Sequence, residues 1–151
     1  EESLPCGPVG RSIELHPCNT NSELRRNLTQ TLYKLITMER IPCKDIVVLT
    51  PKSLHATSAN HSYLLELKLE HQLRLVQKIQ DASTDILCST IYRFKGLERP
   101  IVIVVEIDDT LGDGDEAQRD MLCYVAFSRP RSHLILMGQQ AIMTKLIAQA
   151  R

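Results

Sequence analysis

Pro100-Ile101-Val102-Ile103-Val104-Val105-Glu106-Ile107 is a run of mostly β-branched residues that turns acidic only at its end. A strand with one face in water alternates apolar and polar residues, whereas a strand covered on both faces reads as a continuous apolar run. This stretch therefore belongs inside a parallel sheet packed by helices on each side. Downstream, Asp108 to Asp115 is an acidic, glycine-containing loop. A helix is expected from about Glu116 to Ser128, with Met121, Leu122, Val125 and Ala126 as its apolar face and Pro130 preventing continuation. Ser132 to Met137 reads as another buried strand, and Gln139 to Ala150 as a closing helix.

Upstream the same alternation holds. Asp85 to Ser89 is a short strand, and Asp45-Ile46-Val47-Val48-Leu49 is a second doubly buried run, the mark of a central strand. Between them, Leu54 to Asn60 is loop-like or begins a helix, Tyr63 to Gln72 has leucines at mixed spacing, and Leu73 to Val76 suits a short strand. Ser12 to Pro17 alternates and reads as a strand; Thr20 to Glu23 then matches the S/T-x-x-E capping box that starts a helix. Leu24, Leu28, Leu32, Leu35 and Ile36 fall on one face of that helix, which Pro42 closes. Residues 1–11, with Pro5, Gly7, Pro8 and Gly10, suit a linker or frayed end, leaving residues 12–151 as the domain. Strand and helix alternate throughout, so the fold class is α/β with a mostly parallel sheet, whose ligand sites lie beyond the carboxyl ends of the strands.

Composition removes several classes of function. The 151 residues suffice for one domain, and 43% hydrophobic residues with 24% charged can bury a core. Eighteen cations balance eighteen anions, so any nucleic-acid or membrane partner must be recognised through local sites and not bulk charge. Apolar runs such as Ile101 to Val105 and Leu134 to Met137 fall far short of a membrane span, and the first residues lack a signal pattern; no membrane partner and an intracellular location are expected. Five cysteines, an odd number without a CxxC pair, argue against a disulfide framework. His16 and Cys18 lack a second pair to complete a zinc set, so no metal is expected in this chain.

An α/β domain of this size is often a nucleotide binder, yet G-x-x-x-x-G-K-[ST] and G-x-G-x-x-G are both absent. Gly112-Asp113-Gly114-Asp115 would face a phosphate with carboxylates, the wrong sign for an anion. The same loop resembles a calcium loop at Asp109, Asp113, Gly114 and Asp120, but Leu111 stands where an oxygen ligand is needed, which favours a solvated surface loop. Val102 to Asp109 mimics a Walker B strand ending in acids, a similarity of little weight without a P-loop upstream in the same chain.

Two segments carry a chemical signal. Thr90-Ile91-Tyr92-Arg93-Phe94-Lys95-Gly96-Leu97-Glu98 precedes the first apolar strand, and Tyr124-Val125-Ala126-Phe127-Ser128-Arg129-Pro130-Arg131 precedes the next. In this order they resemble the fifth and sixth signature motifs of superfamily 1 helicases of the UvrD/Rep type, T-x-H-x-x-K-G-L-E and Y-V-A-x-[ST]-R-A-[RK]. The resemblance spans about Asp85 to Gly138 and implies the second, C-terminal RecA-like domain of such a helicase, a three-layer α/β unit lacking its own P-loop. It further implies that ATP and Mg²⁺ are bound mainly by an N-terminal RecA-like domain, the first expected partner, with single-stranded DNA or RNA the second. Arg129, just after a helix stopped by Pro130, is the candidate arginine finger, with a surface ion pair to an acid such as Asp120 as the bland alternative. Gly96 permits a tight turn, and the resemblance places Glu98 on the nucleotide ribose. Thr90, Tyr92 and Arg93 fall where similar proteins contact single-stranded nucleic acid; a strand-end threonine beside a packed tyrosine is the alternative.

Departures from the pattern are also legible. The fourth motif's arginine is absent: Ile46 to Leu49 runs into Thr50-Pro51-Lys52, so Lys52 substitutes as a point charge or the contact is missing. Pro130 replaces the usual alanine, and Tyr92 stands where histidine is usual. The parent protein is accordingly expected to be an ATP-hydrolysing DNA or RNA helicase or translocase of which this chain alone is inactive. A non-catalytic helicase-like scaffold with a degenerate nucleotide site is the competing reading.

Overall fold

The computed structural model describes residues 2–5, 12–91, 93, 99–108 and 133–150. The expected helix over 116–128 and the acidic loop beyond Asp108 lie outside the described residues. Seven strands, β1 (Glu2–Pro5), β2 (Ser12–Pro17), β3 (Ile46–Thr50), β4 (Arg74–Val76), β5 (Asp85–Thr90), β6 (Ile101–Ile107) and β7 (His133–Gly138), form one sheet in the order β1-β2-β7-β6-β3-β5-β4. Every neighbouring pair from β2 to β4 is parallel, as the doubly buried runs predict, and all residues of β3 and β6 are buried. Among the described strands only β1 is antiparallel, pairing Glu2 with Leu15 through Pro5 with Ser12. Within the segment read as a linker or frayed end, Glu2–Pro5 is thus a paired strand. An edge strand needs one hydrogen-bonding side and tolerates a proline, so composition rich in turn formers conceals it.

Alternation along the strands divides the core into two layers. On one face Ile13, Leu15, Val47, Leu49, Val102, Val104, Leu134 and Leu136 pack with Met143 and Ile147 of α2 (Gln140–Ala150). On the other, Val48, Ile103, Val105, Ile135 and Met137 meet Leu24, Leu28, Leu32 and Leu35 on the α1 side. The result is a three-layer α/β/α domain.

Helix α1 (Asn21–Tyr33) starts at the expected capping box: Thr20 Oγ1 accepts from the Glu23 N–H at 3.1 Å, and Glu23 Oε1 accepts from the Asn19 N–H at 2.8 Å. Its end is less regular than the leucine spacing predicts. The helix widens into a π-helical turn over Lys34–Met38, and Arg40 adopts a positive φ of 58° before Pro42. Of the uncertain segment, only a 3₁₀ turn (Tyr63–Leu65) and the three-residue β4 are regular.

Two features fix the sheet near its carboxyl ends. Between Val104↔Leu136 and Ile107↔Gly138, β6 uses one residue more than β7, and Glu106 sits in this bulge with φ 60°. Opposite it, a Cβ on Gly138 would lie 2.1 Å from the Ile107 carbonyl oxygen, so the close approach of the two strands requires glycine.

Candidate functional site

The strand order places a switch point at β3. The chain leaves β5 on one side of β3 and returns as β6 on the other, and ligands of open α/β sheets bind beyond strand ends at such points. Thr90 ends β5 beside Thr50, the last residue of β3. The Ile91 N–H continues the pairing to the Thr50 carbonyl at 3.0 Å, while the Ile91 side chain is fully buried and anchors the turn. Within that turn the Arg93 N–H points back to Thr90, 3.2 Å from its carbonyl and 3.3 Å from Oγ1. Thr90 and Arg93 are thus brought together, with the Arg93 side chain exposed. Tyr92, Gly96, Glu98 and Arg129 lie outside the described residues.

A second constellation, which sequence reasoning missed, stands at the same strand ends. The largely buried carboxylate of Glu106 accepts hydrogen bonds from the Thr50 hydroxyl at 2.8 Å, from the Ser62 hydroxyl and from the Tyr63 N–H at 3.0 Å. Ser62 and Thr50 are fully buried, and each hydroxyl oxygen also accepts a backbone N–H, from Leu64 at 3.0 Å and Lys52 at 3.1 Å. Lys52 Nζ lies 2.9 Å from Asp108 Oδ2 and 4.0 Å from Glu106 Oε2. A carboxylate so occupied is no free base; it pins the connection after β3 to the end of β6. The acidic end of the apolar run was its only signal, since neither the bulge nor the partners Ser62 and Tyr63 follow from local pattern.

This arrangement bears on two expectations. Lys52, the substitute for the missing arginine, has its charge met by two carboxylates, so a phosphate would have to displace Asp108 to reach it. The cavity bounded by Lys52, Glu106, Asp108, Gly138 and the start of α1 is about 80 Å³. Ligand clefts run from about 300 Å³ upward. The described residues around it therefore do not cradle a nucleotide by themselves. Among the described residues no group of three or more His, Cys, Asp or Glu is arranged to hold a metal ion.

Elsewhere, ionisable groups serve the scaffold. Asp85 accepts backbone N–H bonds from Asp81 and Gln80, both at 2.9 Å, and a two-pronged contact from Arg74, which together hold its carboxyl at about 2. Burial pushes Glu14 up, but contacts with His16 at 3.3 Å and His133 at 3.1 Å outweigh it and hold the carboxyl below its ordinary value. Burial raises the Cys18 and Cys43 thiols and drives Cys88 up to about 11.

Parallel strands, two helical layers and a switch point at β3 define the class: a three-layer α/β/α domain with a mostly parallel sheet. Residues 85–137, which include both sequence motifs, match the family model of the UvrD-like helicase C-terminal domain. In fold the chain is similar to the C-terminal domain of a possible DNA helicase from Lactobacillus plantarum WCFS1, with a TM-score of 0.63 and 22% identity over 91% of this chain and 80% of that one. No curated protein matches the chain. The family match and the shared fold support a UvrD-like helicase C-terminal domain, in agreement with the resemblance carried by the motifs.

Proposed function

We propose that this chain acts as the C-terminal motor domain of an ATP-dependent DNA or RNA helicase or translocase. In this reading an N-terminal RecA-like domain of the same parent protein grips ATP and Mg²⁺, and this chain presents Arg129 to the phosphates, Glu98 to the ribose and Gly96 to the turn between them. Thr90, Tyr92 and Arg93 face single-stranded nucleic acid. ATP supplies the free energy of movement when the cleft between the domains closes and opens. The observation that carries the reading is the position of the family match, which starts on β5 at the switch point and runs through both motifs to β7.

The test is ATP turnover by the complete parent protein with and without single-stranded nucleic acid. Arg129→Ala should lower turnover by about 10³-fold or more with only a modest change in ATP affinity. Unchanged turnover overturns the catalytic assignment. One observation favours the second reading, a non-catalytic scaffold: the fourth-motif arginine is absent and its nearest substitute, Lys52, is already paired with Asp108. A parent protein that binds partners without hydrolysing ATP would establish that alternative.

A further inference from the structure

Away from the strand ends, the outer flank of α1 borders a groove of about 460 Å³, with Ser22, Arg25, Arg26 and Thr29 on the helix side and Tyr63 and Glu70 opposite. Spacing of three and four residues brings the four helix positions onto one face, turned away from buried Leu24 and Leu28. We infer that this groove carries single-stranded nucleic acid onward from the end of β5, with Arg25 and Arg26 holding its backbone phosphates. The inference rests on the reading of the chain as a helicase domain and extends it to a surface that neither motif touches.

Charge is the first argument. Arg25 and Arg26 are both exposed and make no ion pair among the described residues. The one acid of α1, Glu23, spends a carboxylate oxygen on the Asn19 N–H and so completes the cap. Two adjacent guanidinium groups flanked by the hydroxyls of Ser22 and Thr29 suit phosphate oxygens, which accept from both kinds of donor. A neutral or cationic ligand gains nothing from them.

Continuity is the second. Thr90 neighbours Thr50 in the sheet, Thr50 bonds Glu106, and Glu106 accepts the N–H of Tyr63, whose partly buried side chain forms part of the groove wall. Tyr63 is thus tied through Glu106 to the strand ends while its ring stands in the groove wall, where it offers a base a stacking face. Glu70 is the opposing charge on the far wall, and it supplies a control of opposite sign.

Binding of a fluorescent 16-nucleotide oligo(dT) or oligo(rU) to the 151-residue chain is measured by anisotropy over a salt series. Arg25→Ala with Arg26→Ala should weaken binding about tenfold and flatten the slope of log K against log salt by about 1.4, the share of two phosphates on a single strand. Glu70→Gln should strengthen binding. Arg93→Ala tests the motif contact separately. Binding that falls with Arg93→Ala but ignores both groove changes overturns the path along α1 and leaves the helicase reading standing. The converse, loss at the groove with no effect at Arg93, keeps the groove and removes the motif contact. Absence of binding by the wild-type chain overturns the inference, as does equal affinity for poly-glutamate, which would mark an acidic protein segment as the occupant. Both arginines point to solvent, so unchanged thermal unfolding should accompany their loss.

Discussion

Glu106 combines an unfavourable backbone with a fully used side chain. An L-residue at φ 60° costs about 1–2 kcal/mol, which persists only where surrounding contacts enforce it. Here three donors do so. Glu106→Ala would strand the hydroxyls of Thr50 and Ser62 and the Tyr63 N–H, and should cost about 3 kcal/mol in urea unfolding. Glycine usually destabilises a strand more than alanine does, but at this φ Glu106→Gly should be no worse than Glu106→Ala. Asp85 gives a pH dependence of known sign. Its folded carboxyl is held at about 2 against an ordinary value of 3.8, so its stabilisation is complete above that ordinary value and drains away as pH falls toward 2. Asp85→Asn should flatten the acid limb of an unfolding titration over that window. Burial that raises the Cys88 thiol to about 11 should leave it unreactive toward a disulfide reagent at pH 7.5 until the chain unfolds.

At the level of elements, the strands legible from sequence are those whose environment is uniform. Ile46–Thr50 and Ile101–Ile107 are apolar throughout because both faces are covered, and the observed bounds differ from the expected ones by one residue. The start of α1 was legible for a different reason: a cap is local chemistry, complete within Thr20 to Glu23. Thr20→Ala should cost about 1 kcal/mol, read as a lowered urea midpoint. What stayed hidden depends on distant partners. Pairing of β1, the bulge at Glu106 and the role of Ser62 each require a second segment that no periodicity announces. Of the candidate site, Thr90 and Arg93 stand three residues apart in one motif and meet in the turn after β5, whereas the partners of the Glu106 carboxylate lie more than forty residues away and leave no local pattern. Gly138 joins the two levels. Its missing side chain allows β6 and β7 to close, so Gly138→Ala should force the strands apart at about 1–3 kcal/mol and lower the melting temperature.

As a whole, the described residues form a two-sided core around one mostly parallel sheet. Among the described residues no helix is long and apolar enough to cross a membrane. The hydrophobic mass lies in two layers, while polar clusters sit at both ends of the sheet: Glu106 with Thr50 and Ser62 where β3 and β6 end, and Asp85 with Arg74 where β4 and β5 begin. On the proposed function the isolated chain should show no ATP turnover above background, while the intact parent protein should show turnover stimulated by single strands. The margins of the sheet carry a separate consequence. At one side β4 is three residues long and opens with a charged arginine, and at the other β1 spans four residues and ends in a proline that has no N–H to offer. Neither rim gives a neighbouring molecule much to zip onto. Concentrated solutions should therefore resist fibre formation, with thioflavin fluorescence staying at baseline on prolonged agitation.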